Sequence, residues 1–243
     1  RGARASRLAP HPPRAGAQEL TDASLVALGR HCPCLEAVCV SSCERLTDAG
    51  VSALVEGCGP ALQELSLARC PLVGAGAVEA LALHCGPALR AIDLSRCVRV
   101  HEAAIVALAT RGHGLRAVSL AGCPQVGDDA VVALAEHARG LTHLNLFDCT
   151  RVSRRAGLAI AANLAGLRKL SLLGCPQVPD GVVAMIMRRC PALQHPPRGV
   201  QGRRARAWAT GKTAMAFDVP FVPAGGDEEE EEEEEEEDDD EQH

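Results

Sequence analysis

Aromatic residues are almost missing from this chain. Its 243 residues contain no Tyr, one Trp (Trp208) and three Phe, an aromatic share of 2%. Sandwich and barrel cores lean on aromatic bulk, so a core here has to be built from Leu, Val, Ala and Cys. Long apolar runs are missing as well. No stretch of 18 residues is continuously apolar, which argues against a helical membrane span within this sequence. The chain starts at Arg1 rather than Met, so a targeting segment is not judged from it.

The usual signatures of chemistry are also lacking. Neither a G-x-S-x-G elbow nor an H-E-x-x-H helix occurs, and the nine His residues are scattered without a nucleophile beside them. Gly211-Lys212-Thr213 has the ending of a phosphate-binding loop, but Arg206 stands where the first Gly belongs and no strand pattern precedes it. Cys32, Cys34, Cys39 and Cys43 crowd together, yet C-x-C and C-x3-C are not the paired C-x2-C of zinc ribbons. The expectation is a protein without catalytic activity, cofactor or metal.

Charge is divided unevenly. The formal net charge is -6, but residues 227–243 hold 15 acidic side chains and no Lys or Arg. Residues 1–226 therefore carry 25 basic against 16 acidic side chains, a balance of +9. The uninterrupted carboxylates of 227–241 repel one another and favour disorder. Three roles suit such a tail: a solubilising end, a lure for basic proteins, or an internal screen for the linker arginines Arg198, Arg203, Arg204 and Arg206. That linker has few aromatics interleaved and a strong anion tethered beside it, which argues against nucleic-acid binding.

What the sequence has in plenty is period. Cys43, Cys70, Cys97, Cys123, Cys149 and Cys175 follow one another at intervals of 27, 27, 26, 26 and 26 residues. Disulfide partners must face each other within about 7 Å between Cα atoms, whereas residues recurring once per repeat stack in a file. Buried, reduced thiols in a cytoplasmic or nuclear protein are the reading this favours. Each Cys ends the same segment: LEAVCVSSC from Leu35, LQELSLARC from Leu62, LRAIDLSRC from Leu89, LRAVSLAGC from Leu115, LTHLNLFDC from Leu141 and LRKLSLLGC from Leu167. Apolar residues two apart predict a short strand with both side chains on one face. Val51, Val78, Ile105, Val131 and Val183, with Leu54, Leu81, Leu108, Leu134, Ile160 and Ile186, supply the spacing of three that one helix face requires. Thr47, Asp48 and Ser153 stand at predicted helix N-caps. One strand and one helix in 26–27 residues cannot bury an apolar face alone, so the units must stack. The expected fold is an α/β solenoid, a horseshoe of about six repeats with a parallel concave sheet and convex helices. Predicted boundaries are 1–19 for a disordered or incomplete N-terminal segment, 20–194 for the solenoid, 195–226 for a Pro/Gly/Arg-rich linker and 227–243 for a disordered acidic tail.

The L-x-x-(L/V/I)-x-(L/V)-x-x-C strand motif, followed by the Leu46–Val51 helix start, resembles the cysteine-containing leucine-rich repeats of F-box/leucine-rich-repeat proteins and of the antagonist of mitotic exit network group. The resemblance covers about residues 20–194. A second, helix-end Cys recurs at Cys32, Cys58, Cys85 and Cys190 but not in the middle repeats. Residues 1–19 lack the apolar helical pattern of an F-box. The Cys190–Leu193 segment starts a seventh strand that Pro196-Pro197 is expected to stop.

Residues between the apolar strand positions should face the concave groove. The first four repeats offer mostly small ones, with Glu64 and Asp93 as exceptions. The last two offer His143, Asn145, Phe147, Lys169 and Leu173, an apolar pair with polar neighbours of the kind that anchors a protein partner. Arg69, Arg96 and Asp148, each one residue before the repeat Cys, should flank the rim. Cys39 faces the groove and is the thiol expected to be best placed to react, while the repeat cysteines are assigned to structure. The resemblance implies the substrate-recognition part of a cullin-type ubiquitin ligase, with a Skp-type adaptor recruited by an F-box that this sequence does not show. A stand-alone repeat scaffold is the alternative. An extracellular receptor fits less well, because the array has no N-x-(S/T) acceptor and its thiols are filed rather than paired.

Overall fold

In a computed structural model, which describes residues 20–197, strands and helices alternate along the chain. The helices are α1 (Asp22–His31), α2 (Asp48–Cys58), α3 (Ala75–His84), α4 (Glu102–Arg111), α5 (Asp128–His137), α6 (Arg154–Asn163) and α7 (Asp180–Arg189). The strands are β1 (Ala37–Cys39), β2 (Glu64–Ser66), β3 (Ala91–Asp93), β4 (Ala117–Ser119), β5 (His143–Asn145) and β6 (Lys169–Ser171). All six strands pair in parallel and in sequence order, with the middle residues Val38, Leu65, Ile92, Val118, Leu144 and Leu170 in one register. The predicted solenoid is therefore the observed one. α1 is the helical half of a repeat, lying ahead of the first strand.

Between sheet and helices runs one continuous apolar core. The outermost Leu of each motif, the two inward strand residues, the repeat Cys and the inward helix face are all buried, from Leu35 through Ile186. Aliphatic side chains of this size each contribute about 1.5–3 kcal/mol when fully buried. Repetition of that contribution, rather than any aromatic centre, holds the array.

The cysteines join neighbouring repeats. Cys70, Cys97, Cys123, Cys149 and Cys175 donate their S–H to the carbonyls of Val40, Leu67, Leu94, Leu120 and Leu146, at 3.2, 3.1, 3.1, 3.1 and 3.0 Å. Each acceptor is the inward residue just past the preceding repeat's strand, so every thiol ties its own turn to the previous repeat. Burial suppresses ionisation strongly: Cys97 and Cys149 are pushed up to about 12, and Cys70 and Cys123 to about 11. At the helix ends, Cys58 donates to Leu54 O within its own helix and Cys190 to Leu164 O of the preceding repeat.

A second set of ties runs between helix starts. Thr47 and Ser153 do act as N-caps, accepting from the N–H groups of Ala49 and Arg155. Asp48 does not. It is the first residue of α2, and its carboxylate accepts from Gly74 N (2.6 Å) and Gly76 N (3.1 Å) at the start of the next helix. Asp22 binds Thr47 N and Oγ1 in the same way, Asp128 binds Ser153 N and Oγ, and Glu102 accepts from Asp129 N and Ala130 N. The N-terminal N–H groups that a helix leaves without internal partners are thus met by the neighbouring repeat.

The expected seventh strand starts but does not become regular. Gln194 N donates to Arg168 O (2.9 Å) and Leu172 N to Pro197 O (2.9 Å), so residues 194–197 lie along β6. Pro196 and Pro197 have no N–H to give, and a full ladder cannot follow.

Two measurements check the thiol ladder. Replacing Cys123 by Ser puts a hydroxyl on a shorter bond into an apolar site, and should cost about 1–3 kcal/mol in denaturant unfolding; a loss no greater than that of Cys123→Ala would contradict this. The raised thiol pKa values also set the sign of an alkaline effect. Below about pH 9 the thiols are protonated in both states and contribute no pH dependence. Above it the unfolded chain loses protons that the folded chain keeps, so stability should fall from about pH 9 towards 11–12. A denaturation midpoint unchanged between pH 8 and 10.5 would refute that account.

Candidate functional site

The concave face is built by the sheet's pleat: if one residue of a strand points into the core, the next must point out. Three outward columns result. The first holds Ala37, Glu64, Ala91, Ala117, His143 and Lys169; the second Cys39, Ser66, Asp93, Ser119, Asn145 and Ser171. The third, just past the strands, holds Ser41, Ala68, Ser95, Ala121, Phe147 and Leu173.

In the first four repeats the face is smooth and satisfied by itself. Ser41 and Ser66 hydroxyls are 2.8 Å apart, and Ser95 Oγ lies 2.7 Å from Ser119 Oγ while donating to Asp93 Oδ1 at 2.5 Å. Asp93 also accepts from Ser95 N at 2.9 Å. The predicted site carboxylate Asp93 is therefore engaged in shaping the turn, with less capacity left for a partner. Ser119 is 1% exposed and Ala117 is buried, so the middle of the groove offers a floor and no handle. Glu64 is half-buried in the first column. Cys39 is half-buried too, 3.5 Å from Ser41 Oγ, and the exposed thiol among the described residues is Cys34. The accessible sulfur is thus Cys34 rather than the groove-facing Cys39.

The last two repeats differ. Phe147 and Leu173 are each 39% exposed, a high value for large apolar side chains. They occupy equivalent positions on neighbouring repeats, and Asp148 N donates to Leu173 O between them. Asn145 Oδ1 accepts from Phe147 N at 3.1 Å, which fixes the turn that presents the ring. Beside them, His143 Nδ1 lies 2.8 Å from Thr142 Oγ1. Its pKa is lowered by burial first, then by the charges of Lys169 and Arg168, which favours the neutral ring. The structure brings together His143, Asn145, Phe147, Lys169 and Leu173, and leaves Glu64 and Asp93 apart from them, two to four strands away.

The rim residues have a backbone reason for their position. Arg69, Arg96 and Asp148 adopt positive φ (61°, 61° and 58°), as does Ser42 (64°), and in the other two repeats glycines stand there, Gly122 and Gly174. This left-handed step turns the chain out of the strand, and it exposes Arg69, Arg96 and Asp148 at the groove's edge. Alternation of Gly with polar residues at that position was a legible signal for the turn that the strand pattern alone did not use.

With the geometry described, the resemblances are specific. Residues 31–55 match the family model described as "Leucine Rich repeat". No curated protein sequence matches the chain. A chain of the crystal structure of the yeast Rad7 and Elc1 complex is similar in fold, with a TM-score of 0.55 and 17% identity over 77% of this chain and 59% of that one. This chain thus spans about three fifths of that chain's length. Less similar are the Caenorhabditis elegans tropomodulin C-terminal domain (TM-score 0.45, 13% identity, 79% of this chain and 99% of that one) and the leiomodin-1 actin-binding site 2 (0.46, 13%, 59% and 87%). Filed cysteines, one six-stranded parallel sheet and a stacked helix layer make residues 20–197 a cysteine-containing leucine-rich-repeat array.

Proposed function

We propose that this protein is a protein-interaction module whose binding site is the C-terminal half of the concave groove. The observation that carries the reading is the exposure of Phe147 and Leu173 side by side on adjacent repeats of the concave face; the other exposed large apolar residues, Leu83, Val98, Met185 and Met187, lie outside the strand columns. An exposed aromatic and a leucine, ringed by His143, Asn145 and Lys169, match the composition of interface hot spots: an apolar anchor that excludes water, with polar groups to set register. The smooth serine-lined floor before them lets a partner segment lie close to the sheet.

The more specific reading is that the groove holds the target of a cullin-type ubiquitin ligase, with a Skp-type adaptor engaged by an F-box elsewhere in the polypeptide. Support comes from the cysteine-containing repeat type and from the occurrence of a similar array in the Rad7 and Elc1 complex, an assembly with a second polypeptide. The stand-alone scaffold remains the other reading, in which occupancy of the groove is itself the regulatory act.

The test uses the full chain and a Phe147→Ser/Leu173→Ser variant as baits, with bound proteins identified by mass spectrometry. The variant should keep its melting transition, because both side chains already face solvent, and should lose at least tenfold of the groove-dependent partners. An identical set of partners on both baits would sink the groove assignment. Co-capture of a Skp-type adaptor with the native polypeptide favours the ligase reading; groove-dependent partners without it favour the scaffold.

A further inference from the structure

The edge of the solenoid where helices end and strands begin is strongly basic in its C-terminal half. Arg116 and Arg168 immediately precede β4 and β6, Arg139 follows the end of α5, Lys169 opens β6, and Arg188 and Arg189 close α7. The five arginines are exposed, and none is ion-paired with a described carboxylate. Glu136 is the acidic residue on that stretch. The position of Arg116 and Arg168 holds Glu36 and Gln63 in the first two repeats, Arg90 in the third and Thr142 in the fifth, so the basic row starts in the middle of the array and is densest at its C-terminal end.

A bland explanation covers part of this. Basic residues in a last helical turn offset the negative end of the helix dipole, which accounts for Arg188 and Arg189. It also covers Arg139, whose Nε donates to Glu136 O in the last turn of α5 at 3.2 Å, but not Arg116 or Arg168, which lead into strands. Arg116 reaches along the edge to donate to Gly140 O of the next repeat at 3.0 Å, as Arg90 does to Gly114 O at 3.2 Å. Lys169 and Arg168 lie near enough to His143 to help lower its pKa, although burial is the larger cause.

We propose that this basic edge is a docking surface for a polyacidic segment, and that its occupant is the chain's own carboxylate run, residues 227–241. Two features support that choice. The first is complementarity: the sequence has 15 consecutive acidic side chains, and the arginines of this edge form no ion pair with a carboxylate among the described residues. The second is reach. The described chain ends at Pro197, whose carbonyl is paired with Leu172 at the same end of the array, and thirty peptide steps separate it from Asp227. Thirty residues can bridge up to about 100 Å when fully extended, whereas the edge from β4 to the last paired segment extends over only about 15 Å. The docked tail would lie beside Lys169 and Arg168, at one side of the groove, whatever the groove itself binds.

Lysine scarcity supplies the test. The chain's lysines are Lys169, on this edge, and Lys212. Zero-length carbodiimide coupling of the full chain at low salt should yield a monomeric species in which a tail carboxylate is amide-linked to Lys169, mapped by peptide mass spectrometry. The yield should fall at least fivefold in 0.5 M NaCl, and equally in an Arg116→Glu/Arg139→Glu/Arg168→Glu variant checked for folding by circular dichroism. A free polyglutamate peptide added to the unsubstituted chain should compete, which keeps the test independent of that variant's folding. Coupling confined to Lys212 or the N-terminal amine, coupling found only between molecules, or a Lys169 yield indifferent to both salt and competitor would overturn the proposal.

Discussion

No single strand-and-helix unit of this protein can cover its own apolar face, and everything else in the structure follows from that constraint. A unit of 26 or 27 residues has one strand of three residues and one helix of three turns, too little surface to enclose a core. Its neighbours enclose it. The same dependence governs polar groups: strand-end carbonyls are met by thiols of the following repeat, and helix-start N–H groups by carboxylates of the preceding one. Thiols serve well here because a sulfur is apolar enough to bury and still donates weakly to a carbonyl.

Period, strand positions and the buried side of each helix were legible in the sequence because they obey one local rule repeated six times. What lay beyond the sequence depends on where one repeat sits against another. Asp48 looks like an N-cap in isolation; only the stacking offset carries its carboxylate to Gly74 and Gly76. Cys39 and Cys34 differ in exposure for a similar reason, since serines of the same and the next repeat crowd the first while the turn leaves the second open. In the groove, Phe147 and Leu173 were readable by alternation alone. That Asp93 spends its carboxylate on Ser95 was not.

The two faces of the array divide the work. The convex and interior side is occupied with holding repeats together, and its chemistry is suppressed: its thiols are buried and hard to ionise. Variation is left to the concave columns and the rim, where a change of side chain alters little of the packing. Functional specificity in such a scaffold is concentrated where structural demand is lowest.

The carboxylate ties between helix starts are not continuous, and their gaps have a mechanical meaning. Ala75 in α3 and Arg154 in α6 occupy the position from which Asp22, Asp48, Glu102 and Asp128 reach forward. The boundaries α3/α4 and α6/α7 therefore lack the carboxylate tie that the other four possess. There the helix-start segments still meet through backbone bridges, Gly74 with Arg99 and Ser153 with Gln177. Stability in a linear array is a sum over nearest neighbours, so what counts at each boundary is the total, and a repeat can drop the acidic side chain where backbone and apolar contacts already hold it to the next.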